Sequence, residues 1–195
     1  MTPLPRLSLR APPALMRRLP ARRTVVRWLH LAMIPLVVWF VIATPDFVRW
    51  LWGSEGNEIN SDIALLFVTL ALVWGADVMV RGMVGRPGPK LSPRLKRFHW
   101  WLHRILIAML LLIPVGGFLL GLTASRTLFA GGWLPIAPPQ HWDRANEIVG
   151  TLHIYQFYAL AGLVVIHAGF HVWRHLKLKD NALRIMAPRW AHRWL

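Results

Sequence analysis

Residues 148–173 read IVGTLHIYQFYALAGLVVIHAGFHVW, a run without Asp, Glu, Lys or Arg but with three histidines. A bilayer-spanning helix needs roughly 20 mostly apolar residues, so this run reads as a span. Three earlier segments meet the same criterion: 28–43, extended by an amphipathic stretch at 47–52, then 63–80 and 100–122. The connections between them are rich in Gly, Pro and charge, where helices break. The predicted fold is therefore all-α, an integral membrane four-helix bundle.

Composition agrees. Of 195 residues, 55% are hydrophobic and 16% charged, against about a quarter charged in a typical soluble domain. The net charge of +15 would suggest nucleic acid in a soluble protein. Here the basic residues flank apolar spans and form no continuous stripe, so nucleic acid is excluded and membrane lipid is the expected partner. The absence of cysteine removes disulfides, thiolate metal sites and iron–sulfur clusters. Nine histidines and seven methionines are the remaining soft or borderline ligands.

The charge distribution orients the spans. Seven Lys and Arg lie in the N-terminal tail through Arg27, seven between Arg81 and Arg104, and six from Arg174 onward. The two other connections hold only Arg49, Arg126 and Arg144. Twenty against three predicts that both termini are cytoplasmic. Arg22 and Arg23 before an apolar stretch also resemble a twin-arginine leader. His30 interrupts that stretch, however, and no small-residue cleavage site follows before Pro45, so a retained span is expected. The chain divides into a basic, Pro-rich cytoplasmic arm (1–24), a four-span domain (25–180) and a basic cytoplasmic tail (181–195).

Polar side chains inside spans are costly and usually functional. His30 lies early in the first span, and His153 and His167 lie in the fourth. Fourteen residues is close to four helical turns, so His153 and His167 leave one face about 21 Å apart along the axis. One helix can thus supply a ligand to each of two stacked haems. With the predicted orientation, His30 and His167 share a depth near the cytoplasm, and His153 is near the opposite face. Two such imidazoles hold a six-coordinate electron-transfer haem; the ordinary alternative is that each histidine is satisfied by a neighbouring helix.

The segment RWLHLA around His30, the third span LHRILIAMLLLIPVGGFLLGL, and LHIYQFYALAGLVVIHAGFHVWRHLKLKDNALRIMAP (152–188) follow one another in order. Together they resemble the bacterial cytochrome b561 family, which is similar to the b subunits of nickel–iron hydrogenases and formate dehydrogenases. The resemblance covers roughly residues 27–188. It implies two bis-histidine haems b and electron exchange with quinone or a periplasmic or membrane redox subunit, in the bacterial inner membrane. His30 and His167 match the ligands of the cytoplasmic-side haem, and His153 one ligand of the periplasmic-side haem. The family's histidine in helix two has no counterpart: no histidine occurs between His30 and His99, and the matching position falls near Ile63. Either the second haem is absent and His153 is a relic or a quinone contact, or that haem is five-coordinate on His153, or His141 folds in as substitute ligand.

Arg27, Arg104 and Arg174 stand at the depth of the first haem, where guanidinium groups pair with propionates; positive-inside charge explains them equally. His103 is a candidate for propionate contact or a plain interfacial residue beside His99, and His171 and His175 are candidates for propionate or quinone contact or face water with Arg174. Asp77 in the second span must pair or protonate, and Arg81 one turn later is its local partner. Pro35 and Pro114 are expected to make room for a macrocycle. Gly116, Gly117, Gly121, Gly162 and Gly169 are expected to permit close approach. The expected function is a b-type cytochrome, possessing no separate catalytic domain and serving as quinol-linked oxidoreductase or membrane subunit. The alternative is a haem-poor anchor or assembly subunit of a respiratory complex.

Overall fold

The computed structural model describes residues 20–85 and 87–194. Most of the basic arm expected at 1–24 lies outside the described residues. Among the described residues there are six α-helices: α1 (Arg22–Ile42), α2 (Pro45–Trp52), α3 (Gly56–Arg81), α4 (Pro93–Leu122), α5 (Asp143–Trp173) and α6 (Ala182–Met186). A two-stranded hairpin, β1 (Leu128–Ala130) and β2 (Leu134–Ala137), links α4 to α5. Four helical stretches are long and apolar enough to cross a membrane: α1, the segment from α2 through α3, α4, and α5 with its continuation to Leu178.

The stretch at 47–52 is not a continuation of the first span. The chain breaks at Ala43 and Thr44, and the Thr44 hydroxyl accepts a hydrogen bond from the Phe47 amide at 3.2 Å, with Pro45 starting the new helix. Proline at the first helical position loses no hydrogen bond and is preset in φ. Gly53 then turns the chain at φ +61°, a conformation that only glycine adopts without steric cost. A short 3-10 turn feeds α3, whose first residue Gly56 lies hard against Val48. The second span therefore begins earlier than its apolar run alone indicates.

The bundle closes as a ring in the order α1, α3, α4, α5, with α4 and α5 the most extensive pair. Its core consists of Met33 and Val37 from α1, Phe67 and Ala71 from α3, Leu110 and Ile113 from α4, and Leu160 from α5. Phe40, Phe67 and Phe157 form an aromatic knot at centroid distances of 5.1 to 6.0 Å. Large apolar side chains such as Ile34, Val38, Val73, Val115 and Val165 face outward. An apolar exterior of this extent marks a surface made to contact something other than water, as a membrane protein requires.

Polar contacts pin the two ends. Arg22 binds Asp77 in a fork, Nε to Oδ1 at 3.0 Å and Nη2 to Oδ2 at 2.8 Å, while Arg81 stands at 3.9 Å from the same carboxylate. The expected Asp77–Arg81 pair exists, but α1 supplies the closer partner. Near the hairpin, Asn146 donates to the Leu120 carbonyl at 2.7 Å and to Thr123 Oγ1 at 3.0 Å, so α5 caps the end of α4. After Trp173 the helix widens into five π-helical residues, Arg174–Leu178. Lys90 donates to the carbonyls of Leu178 and Lys179 there.

Candidate metal centre

Five histidines converge between α1, α4 and α5, at the end of the bundle that carries both ends of the described chain. α1 contributes His30, α4 contributes His99 and His103, and α5 contributes His167 and His171. Each of the two latter pairs is spaced i, i+4, so both rings of a pair leave the same helical face. Because α4 and α5 pack along their lengths, those faces meet. Ring centroids are 4.1 Å apart for His99–His103, 4.5 Å for His167–His171, 4.8 Å for His103–His167, and 5.5 Å for His103–His171.

His30 faces His167 across the α1–α5 contact with centroids 6.2 Å apart and planes tilted by 53°. Metal–imidazole bonds are about 2 Å, so two rings on opposite sides of one metal have centroids roughly 6 Å apart. The observed spacing matches. The Nδ1 atoms of His30 and His167 are buried without a hydrogen-bond partner. A buried unsatisfied donor or acceptor costs about 1–3 kcal/mol, and coordination is one way to use such a nitrogen. By spacing and donor type the pair fits an axial haem ligand set. Trp74 stands edge-on to His30 at 5.9 Å and walls the site from α3.

The other expected contacts have diverse surroundings. Arg174 is 1% exposed and is committed to Asp180, through Nε at 2.9 Å and Nη2 at 2.6 Å. Arg27 donates from Nη2 to the Ile185 carbonyl at 3.3 Å, while its Nε is buried and unpartnered. Arg104 lies over the Trp100 ring at 3.9 Å. His103 shares its Nδ1 with the His99 carbonyl at 2.8 Å. Ring nitrogens of His171 (Nε2) and His175 (Nδ1) are buried without partners.

His153 stands apart, nearer the hairpin. Its Nδ1 hydrogen-bonds to Gln156 Oε1 at 3.0 Å, and the ring packs on Phe157 at 5.3 Å. It borders a 560 Å³ cavity together with Asn60, Phe67, Pro114, Gly117 and Phe157. That volume suits an organic ligand, but among the described residues no second histidine and no methionine lines it. His141 is exposed, two residues before α5 begins, whereas His153 lies ten residues inside that helix. Ten residues of helix rise about 15 Å between Asp143 and His153.

The glycines divide into two kinds. Gly116 and Gly117 admit the His153 ring, and Gly121 admits Leu128. Gly162 and Gly169 have nothing within 4 Å of a Cβ position, so they serve no close approach inside the chain. A Cβ at Gly116 would run into Gln156 Oε1 and stand 2.8 Å from His153 Nδ1. Gly116→Ala is accordingly expected to lower stability by about 1–3 kcal/mol through overpacking, measurable as an earlier unfolding transition in detergent.

Reading the sequence by depth and family resemblance missed the full cluster. The available signal was the repetition of H-x-x-x-H, HWWLH at 99–103 and HAGFH at 167–171, on helices joined by a short hairpin. No protein-family model matches the chain, and no curated protein matches it in sequence.

Proposed function

We propose that this chain is a membrane b-type cytochrome of the cytochrome b561 kind, with His30 and His167 as axial ligands of one haem b. The observation that carries the reading is the 6.2 Å spacing of two mutually tilted imidazoles from the first and last spans, each with a buried Nδ1 that lacks a hydrogen-bond partner. Haem bound there supplies a one-electron iron couple whose potential depends on ligation, polarity and burial. The chain's own part is to hold both rings in register, through the α1–α5 contact, and to keep water from them with Trp74 and the surrounding apolar side chains.

The skewed distribution of Lys and Arg supports an inner-membrane orientation with both termini cytoplasmic. In that orientation the His153 cavity opens toward the periplasmic half. Its size, apolar walls and few polar side chains (Thr44, Asn60, Ser61, His153, Tyr158) support binding of a quinone headgroup, which offers carbonyls to such donors. Electrons would pass between quinone and a redox partner subunit or small substrate. A haem-poor anchor subunit is the second reading, supported by the lack of a second imidazole beside His153.

Purified full-length protein is expected to carry one haem per chain in a reduced-minus-oxidised spectrum with parallel haem quantification. His153→Ala is expected to retain that haem. A folded chain without haem, when produced with ample haem supply, would refute the cytochrome reading. Two haems per chain would refute the single-site version.

A further inference from the structure

We propose that His99, His103 and His171 form a separate site for a zinc-type divalent ion, distinct from the His30–His167 pair. One ligand atom from each of the three rings lies within 4.8 Å of the others. Two rings come from one face of α4 and the third from the facing stretch of α5, which is how helical bundles assemble metal sites from side chains.

Two further features prepare these rings. The His99 carbonyl accepts from His103 Nδ1–H at 2.8 Å, which leaves the Nε2 lone pair for a metal. A backbone acceptor on the far nitrogen is the usual way ligating histidines are oriented. His171 Nε2 is buried with no hydrogen-bond partner, a nitrogen that a cation would satisfy. His99 is only 6% exposed, so one of the three rings is screened from bulk water.

The donor set selects the ion. Three imidazoles without carboxylate or thiolate suit zinc, copper, nickel or cobalt and disfavour magnesium and calcium. Tetrahedral metal–nitrogen bonds of about 2.0–2.1 Å bring ligand nitrogens to roughly 3.4 Å from one another. Side-chain rotations that shorten the 4.8 Å limit by about 1.4 Å close the remaining gap. Three protein ligands leave a fourth position for water or a small anion. None of the three rings belongs to the proposed axial pair, so the site does not rest on the haem reading.

The test uses the full-length chain in nanodiscs, purified without a histidine tag, stripped by chelator and titrated with zinc or cobalt. One zinc per chain is expected to survive gel filtration, and cobalt to give the visible bands of a tetrahedral nitrogen site. His99→Gln and His171→Gln should each weaken binding at least about tenfold, whereas His30→Ala should lose haem and keep the metal. Circular dichroism and elution volume identify folded variants; where His99→Gln does not fold, His103→Gln carries the same test. Folded wild-type protein without stoichiometric zinc overturns the proposal. So does undiminished binding in the folded glutamine variants, which would assign the ion to surface histidines. Loss of the metal in folded His30→Ala would assign it to the axial pair and likewise overturn the site.

Discussion

Alanine at His30 or at His167 is expected to remove the haem, lowering the Soret absorbance per chain at least tenfold while the helices persist. On the proposed cytochrome reading each ring would supply one of the two bonds to iron, and the rings stand with centroids 6.2 Å apart. Alanine is the best helix former, so neither substitution breaks its span, and both rings are only half-buried. Haem content measured beside far-UV circular dichroism separates lost ligation from lost fold. Full haem occupancy with an unchanged spectrum in either variant would sink the assignment of that ring. His171 and His103 are the nearest substitutes for His167, at 4.5 and 4.8 Å, so double variants pairing His167→Ala with His171→Ala or with His103→Ala show whether any residual haem has moved to either.

Asp180→Ala is expected to produce the largest loss of stability, about 3–5 kcal/mol. The carboxylate and the Arg174 guanidinium are 2% and 1% exposed and 2.6 Å apart. Removing the acid leaves a buried cation without compensation, which costs far more than the intact pair contributes. Asp180 Oδ1 also accepts from the Ala182 amide at 3.1 Å and so starts α6, whose Ile185 carbonyl in turn receives Arg27. The damage therefore spreads from the end of α5 to α1. The double variant Arg174→Met with Asp180→Ala should be more stable than Asp180→Ala alone, because the orphaned charge is gone. Unfolding midpoints in detergent for the four proteins of this cycle measure the coupling. A single variant as stable as wild type would show that the guanidinium reaches solvent or another acceptor.

Arg174 illustrates how far positional reasoning extends. Its place at the basic membrane edge was legible, and so was the chemistry that makes an arginine suitable for a carboxylate. Which carboxylate it meets was not, because Asp180 reaches it only after the π-helical turn and the left-handed residues Lys179 and Asn181 fold the chain back. Asp77 behaves similarly. Its need for a cation followed from its place in a span, and Arg81 is present at 3.9 Å, yet Arg22 from a different helix makes the fork. Pro35 and Pro114 lie within unbroken helices, and Pro114 borders the His153 cavity.

The four apolar runs, their basic flanks and the spacing of histidines along each helix follow from the chain alone, since transfer into lipid depends on local composition and the helical repeat is constant. Which imidazoles meet was decided only by tertiary packing. The rotation of each helix about its axis and the ring order α1, α3, α4, α5 are set by contacts such as Phe40, Phe67 and Phe157, between residues distant in sequence. That packing turned two i, i+4 histidine pairs toward each other and left His153 alone beside a cavity.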